Sequence, residues 1–227
     1  MVNLVQKEVI NQYEKASKGG SKRYPSLELV RLEQWFFNSK RSGKLLEYGF
    51  GGGCNTAHLY ECGYNIYGLD VTKGSIRNTK ERFKKIKKRK GRTLSLNLLK
   101  ANSKTIPFKN NYFDYIVAMS VLSLLGSKTK ILHLLKEFKR ILKKDGKIIL
   151  DMNDHKSEFS KGNKMVKKNV FLTNSVDKKI YTYCMKSSNE FADLVSKCFE
   201  INDIGYSSHK VFGRRINEWI VCATNNK

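Results

Sequence analysis

Between Lys44 and Leu59 the chain reads KLLEYGFGGGCNTAHL, and few folds accommodate four glycines within five positions. Leu45 and Leu46 form a short apolar run, Glu47 follows, and then come Gly49, Gly51, Gly52 and Gly53. Asn55-Thr56-Ala57-His58-Leu59 has the composition to open a helix. The spacing predicts strand, tight turn and helix. Glycine adopts φ > 0 freely and lets backbone N–H groups approach a ligand with no Cβ in the way. Ordering so many glycines costs chain entropy, which argues that the turn has a task. At the carboxyl end of a first parallel strand, such a turn is where open α/β sheets receive nucleotide-like ligands.

The details of the turn narrow the ligand. A dinucleotide fingerprint G-x-G-x-x-G starting at Gly49 needs glycine at position 54, where Cys54 stands. No Gly-Lys-Ser/Thr ending follows, so the phosphate-binding loop of nucleotide hydrolases is excluded. What stands is Glu47-x-Gly49-x-Gly51-x-Gly53, with an acid two residues before the first glycine. This pattern resembles motif I of the class I S-adenosylmethionine (SAM) methyltransferases. The resemblance implies that Glu47 sits near the methionine amino group of SAM. It also implies that Gly49, Gly51 and Gly53 make room for the cofactor.

Downstream residues extend the resemblance. Asn65-Ile66-Tyr67-Gly68-Leu69-Asp70 reads as a second strand ending in an acid. A carboxylate there can accept hydrogen bonds from both ribose hydroxyls of a nucleoside, and a helix N-cap is its other reading. A helix over Ser75 to Lys88 and a strand over Leu94 to Leu99 follow, leading to Asn102. By resemblance Asn102 holds the adenine amino group, with a turn-forming asparagine as the alternative. Val71, Ser103 and Ser120 are assigned to the cofactor on the same ground. Ile106-Pro107-Phe108 and Phe113-Asp114 resemble the family's linker into a fourth strand, Tyr115 to Met119. The strongly patterned helix Thr129 to Leu142 is expected to be capped by Asp145-Gly146 and followed by a fifth strand, Lys147 to Met152.

The flanks are read more coarsely. Met1 to Ser17 is expected to be helical, with a break at Lys18-Gly19-Gly20-Ser21 and a second helix over Leu27 to Phe37. The run Tyr24 to Arg31, YPSLELVR, resembles the leader of a branch of small bacterial methyltransferases. Asn153 to Ser188 is polar and irregular apart from Asn169 to Thr173 and Lys179 to Met185. A helix, Asn189 to Ser196, and an antiparallel pair, Phe199 to Ser207 with Ile216 to Thr224, close the chain.

Composition adds limits. The formal charge is +24, carried by 34 lysines and only ten arginines. Sites built to grip phosphate favour the planar fork of arginine, so this excess reads as lysine-rich composition, with nucleic-acid binding as the alternative. Only two prolines occur, Pro25 and Pro107, so neither the Pro-Pro motif of base-amine methyltransferases nor a Pro-Cys nucleophile is present. No run of about 18 apolar residues is found. The five cysteines are scattered without a C-x-x-C pair, which suggests reduced thiols, no metal and a cytoplasmic setting.

The expectation is therefore an α/β fold, a doubly wound, seven-stranded, mostly parallel sheet of order 3-2-1-4-5-7-6 with strand 7 antiparallel. Residues 1–227 are read as a single domain, with 1–40 as a helical lid and 153–188 as an insertion over the acceptor site. The expected activity is SAM-dependent methyl transfer to N, O or S of a small-molecule acceptor, such as a sugar or other metabolite. An RNA methyltransferase and a non-catalytic SAM-fold subunit are the alternatives. Acceptor-side candidates are His155, Tyr24, His209 and Tyr206, whereas His58 and His133 fall in predicted helices.

Overall fold

The glycine turn and its flanking elements form as the spacing predicts. In the computed structural model, which describes residues 10–11, 14–15, 24–37, 41–86, 91–98, 105–175, 178–211 and 213–227, strand β1 (Lys44–Tyr48) enters the turn. Helix α2 (Cys54–Cys62) leaves it; helix α1 (Leu27–Phe36) precedes the strand. The expected helix 1–17 lies mostly outside the described residues, as does its break at 18–21. Ile10, Asn11, Glu14 and Lys15 are helical.

The sheet continues with β2 (Asn65–Asp70), β3 (Leu94–Leu98), β4 (Phe113–Ala118), β5 (Leu142–Asn153), β9 (Glu200–Val211) and β10 (Arg214–Thr224). Its order is β3-β2-β1-β4-β5-β10-β9, with β10 antiparallel to β5. This is the expected topology, β9 and β10 being the sixth and seventh strands. Helix α3 (Lys73–Lys84) connects β2 to β3, α4 (Lys128–Ile141) connects β4 to β5, and α5 (Ser188–Val195) leads into β9.

Alternation along the strands builds two cores. Leu45, Val117 and Ile149 face α1 and α2 with Leu29, Phe37 and Leu59. Leu46, Ile116, Ala118, Ile148 and Leu150 face the other way, onto Ile131, Leu134, Leu135 and Phe138 of α4 and Phe191 of α5. Helix α1 is held by more than apolar contact. Buried Glu33 accepts from the Tyr64 hydroxyl at 2.8 Å and lies 3.2 Å from Arg41 Nε. Glu33, His58 and Cys62 bring potential ligand atoms within 4.8 Å of one another. The Glu33 carboxylate is already engaged by Tyr64 and Arg41, so the group serves to dock α1 on α2.

Two expectations need correction. Gly146 was expected to take the left-handed position after α4, but Asp145 takes it, at φ +58°. The glycine is needed for closeness instead: a Cβ on Gly146 would stand 2.8 Å from Leu142 Cγ and 2.9 Å from the Lys143 carbonyl. Residues Asp145 and Gly146 are then free to pair with Asn225, by N–H···O bonds of 2.8 and 2.9 Å. The second concerns the stretch after β5, whose two regular segments, Asn169 to Thr173 and Lys179 to Met185, fall largely on strands while the rest is less irregular than expected. It forms a second sheet, β6 (Lys164–Lys167), β7 (Val170–Ser175) and β8 (Lys178–Tyr183), all antiparallel. Val170, Tyr183 and Met185 pack it onto the α4/α5 core, which the polar composition of the stretch concealed.

Gly68 at the centre of β2 gives a direct test of this packing. A Cβ there would stand 2.6 Å from Phe50 Cδ1 and 2.8 Å from Leu96 Cδ2. Gly68→Ala is expected to destabilise by about 1–3 kcal/mol through overpacking, read as a lowered urea midpoint with unchanged slope.

Candidate functional site

The site is built from the turn between β1 and α2 and the carboxyl ends of β2, β4 and β5. Gly49, Gly51 and Gly53 have φ of +78°, +52° and +73°. They do different work. A Cβ on Gly49 would stand 2.0 Å from Val121 Cγ2, and one on Gly53 would stand 2.5 Å from Thr79 Cγ2. Both positions are filled by neighbouring side chains of the fold. A Cβ on Gly51 would meet nothing within 4 Å. Among the three, Gly51 alone presents bare backbone to open space, although sequence reasoning treated them alike.

Asp70 fixes this turn. Its Oδ2 accepts from the Gly51 N–H at 2.9 Å, and its Oδ1 accepts from the N–H and hydroxyl of Thr72 at 2.9 and 3.0 Å. The helix cap considered for Asp70 belongs to Thr72, whose side chain accepts from Ser75 N–H. The turn's carbonyls are held from α3, by the Thr79 hydroxyl on Gly51 O and Arg82 Nε on Gly52 O.

Glu47 lies beneath the turn, 3% exposed, accepting a hydrogen bond from Thr56 Oγ1. Burial pushes its carboxyl up to about 8, against the pull of the Thr56 and Asn55 hydrogen bonds and reinforced by nearby Asp70. Its side chain makes no ion pair within the described residues. Such a carboxyl is poised to ionise when a cation approaches.

At the end of β4, Ser120 takes φ +58° and donates its N–H to Asp151 Oδ1 of β5 at 2.6 Å. Asp151 is buried and was not singled out from the sequence. Val71 is half-buried beside the α4/α5 core. Asn102 and Ser103 lie outside the described residues.

The leader reaches the same rim. Glu14 accepts from the Gly74 N–H of α3 at 3.0 Å, and Ser26 N–H donates to Asn55 of α2 at 2.9 Å. Glu28 accepts from the Ser207 hydroxyl of β9 at 2.8 Å. Its carboxyl is held below the usual range by its own backbone and by Ser207, Ser26 and His209, which together outweigh burial.

The four acceptor-side candidates divide into two groups. Tyr206 donates to Asp154 Oδ2 at 2.7 Å and packs on Trp219 at 4.3 Å between ring centroids. His155 Nδ1 lies 2.9 Å from Asp154 Oδ1, off the line of a hydrogen bond. Tyr206, Asp154 and His155 thus form one constellation at the end of β5. His209 lies three residues from Tyr206 on β9 and so points to the opposite face, towards Glu28. Tyr24, 78% exposed, precedes α1 at the rim. Asp154, which is 1% exposed, joins Tyr206 to His155 and was not among the candidate site residues.

Comparison with known proteins follows the geometry. A sequence profile described as a methyltransferase domain matches residues 46–150, from β1 to the end of β5. Residues 46–150 thus match a methyltransferase domain, and the glycine turn and β2 lie inside that match. Solved structures of methyltransferases share the fold of the chain. A SAM-dependent methyltransferase from Methanosarcina mazei superposes with a TM-score of 0.71 at 15% identity, covering 88% of this chain and 98% of that one. The N-methyltransferase NodS from Bradyrhizobium japonicum, in complex with S-adenosylhomocysteine, gives 0.63 at 12%, covering 95% and 100%. Magnesium protoporphyrin IX methyltransferase from Synechocystis, with bound SAM, gives 0.61 at 13%, covering 99% and 85%. At these identities the neighbours speak to the fold. No curated protein matches the chain.

The buried carboxyl of Glu47 makes a prediction about stability. Glu47 has a folded value near 8 against an ordinary 4.5. The stability tied to its neutral form is complete below about pH 4.5 and is lost as pH rises through about 8. Glu47→Gln keeps the shape without the charge. Its melting temperature, relative to the cofactor-free natural protein, is expected to rise progressively between pH 5 and pH 9. A constant difference across that range would show that Glu47 ionises freely.

Proposed function

We propose that this protein is a methyltransferase that transfers the methyl group of SAM to N, O or S of a small-molecule acceptor bound at the carboxyl ends of β4 and β5. The reading rests on one observation. The rim beyond β5 is walled by the second sheet and the tip of the β9–β10 hairpin, around an open cavity of about 510 Å³ that includes His155. That volume lies within the roughly 300–1,000 Å³ of small-molecule sites. Two structural neighbours carry names that fit this class, an N-methyltransferase and a magnesium protoporphyrin IX methyltransferase.

The residues of the turn suit SAM. Gly51 offers backbone without a Cβ, and Glu47 offers a buried carboxyl that can give up its proton to face an ammonium group. Asp70 suits a ribose, with a qualification that only the structure supplies. A carboxylate has about four acceptor positions, and Gly51 and Thr72 take three on Asp70. One remains for a ribose hydroxyl, rather than the two expected. Val71 and Ser120, with Asn102 and Ser103, complete the proposed cofactor set. The bound cofactor supplies an electrophilic methyl on a sulfonium. The protein's part is alignment and exclusion of water, with the leader and the second sheet as the covering elements.

His155 is the proposed base for a hydroxyl acceptor, oriented by Asp154 with Tyr206 behind it. A neutral nitrogen acceptor would need no base. Tyr24 and His209 fall to the leader's side of the hairpin and are proposed to contact the acceptor only where the leader covers the rim.

SAM and S-adenosylhomocysteine are expected to raise the melting temperature, by the equivalent of about 2.7 kcal/mol at a hundredfold excess over the dissociation constant. NAD should have no effect. Asp70→Ala should weaken SAM by about 1–3 kcal/mol and also lower the melting temperature, because the Gly51 tie is lost. Gly51→Val should remove binding while leaving a folded protein. His155→Ala should lower turnover at unchanged SAM affinity. No stabilisation by either SAM compound, or normal SAM binding by Gly51→Val, would contradict this placement of the cofactor.

A further inference from the structure

The cavity beyond β5 has a charge pattern that the fold does not explain. Lys156, Lys161, Lys168, Lys186 and Arg215 are five of its ten described lining residues, and none of the ten carries a carboxylate. Over the whole chain only 44 of 227 residues are cationic and 20 are acidic, so composition alone does not make this lining. Other cations of the fold include paired ones, Lys128 with Glu190, Arg140 with Glu137 and Lys143 with Asp114. None of the five cavity cations makes an ion pair with a described carboxylate. Five like charges facing one space repel one another, and an anion placed among them relieves the repulsion.

The five come from separate parts of the chain. Lys156 and Lys161 follow β5, Lys168 lies in the β6–β7 turn, Lys186 follows β8, and Arg215 opens β10. Convergence from four segments is a property of the tertiary structure. The remaining wall is mixed: Met165, 58% exposed, and Phe171 give it an apolar side. Three side-chain N or O atoms are buried without a hydrogen-bond partner among the described residues. One of them, Trp219 Nε1, belongs to the constellation that includes Tyr206; another, His155 Nδ1, has the Asp154 carboxylate 2.9 Å away but out of line. The cavity is tied to the carboxyl end of β5 through His155. His155 is four residues past Asp151, the partner of Ser120, so chain length alone keeps it within about 14 Å.

Resting on the methyltransferase reading above, we infer that this cavity takes the anionic part of the methyl acceptor. The acceptor would be a small molecule with at least two negative charges, as phosphate or carboxylate, and an apolar portion against Met165 and Phe171. A concave cavity of about 510 Å³ suits such a molecule better than a nucleic-acid duplex.

The test uses the full-length protein and three kinds of probe. Pyrophosphate and citrate are titrated calorimetrically at about 150 mM salt, where exposed charges are screened beyond roughly 8 Å. The natural protein should bind one of them, and whichever binds tighter assigns phosphate or carboxylate. The triple variant Lys156→Ala, Lys168→Ala, Arg215→Ala should bind it at least about tenfold more weakly, in keeping with the loss of charge-assisted contacts. A control removing Lys80, Lys85 and Lys197, all exposed and remote, should bind like the natural protein. S-adenosylhomocysteine should stabilise all three proteins equally, which separates this inference from the assignment of the cofactor. Labelled SAM incubated with a metabolite extract should leave its methyl label on anion-exchange resin, and the triple variant should not. Binding of neither probe, equal loss in the control, or label passing through the resin would overturn the proposal. Single-stranded RNA bound in place of both probes, with the same sensitivity to the triple variant, would overturn it in favour of nucleic acid. Failure of S-adenosylhomocysteine to bind any of the proteins would instead overturn the cofactor assignment, leaving an anion cavity that is not an acceptor site.

Discussion

The Asp70 carboxylate ties together two turns that have no covalent reason to meet. One oxygen holds the Gly51 N–H, 19 residues away in sequence, and the other holds Thr72 at the start of α3. Strands β1 and β2 are neighbours and parallel, so their carboxyl ends emerge side by side. The bond from Gly51 then fixes how the glycine turn leaves the sheet. Thr79 and Arg82 of α3 hold the carbonyls of the same turn from above. The bare face of Gly51 is therefore the outcome of a closed set of hydrogen bonds rather than of a loose loop. A flexible turn rich in glycine would lose much of its ligand affinity to ordering; this one is ordered beforehand.

Glu47 shows the opposite economy. A buried carboxyl with a hydroxyl partner and a second carboxylate nearby is held protonated over much of the neutral range. A hydrophobic residue would pack there at less cost, and the local rule that buried charges are paired is broken. Departures of this kind fall where a ligand completes the pairing. Glu33 makes the contrast within the same molecule. Equally buried, it has Tyr64 and Arg41 on its oxygens and serves the docking of α1.

Much of this arrangement was legible in the sequence. Strand alternation, the helical period of Ile131 to Phe138 and the turn at Gly49–Gly53 are local signals, and each element formed within a few residues of its expected place. The strand order came from resemblance, because pairing between distant segments leaves no local trace. The supporting residues were beyond reach for the same reason. Val121, Thr79 and Asp151 act through tertiary contacts with partners about 30 to 70 positions away, and nothing in their own neighbourhood marks them. The sheet β6–β8 was hidden differently. Its strands are short and two of them carry two lysines each, so few apolar residues, Val170 and Tyr183 chief among them, seat it on the core. One signal was present and unused. Tyr206 and His209 are three apart, and on a strand an odd separation places side chains on opposite faces.

That parity organises the hairpin beside the carboxyl end of β5. Strand β9 turns Ser207 and His209 towards Glu28 of α1, and Tyr206 towards Asp154. The hairpin therefore carries two separate linkages, one to the leader and one to the end of β5. Glu28, the acid on the leader side, is drawn down and stays ionised beside His209. On the other side the charged residues that line the cavity with His155 are cationic, and Asp154 is buried against His155 and Tyr206. Four of the five cavity cations come from outside the hairpin, so the sign of the lining is set by the second sheet and its flanks as much as by β10. The sign of the cavity is accordingly a local property, and the overall charge of +24 is a poor guide to what the protein binds.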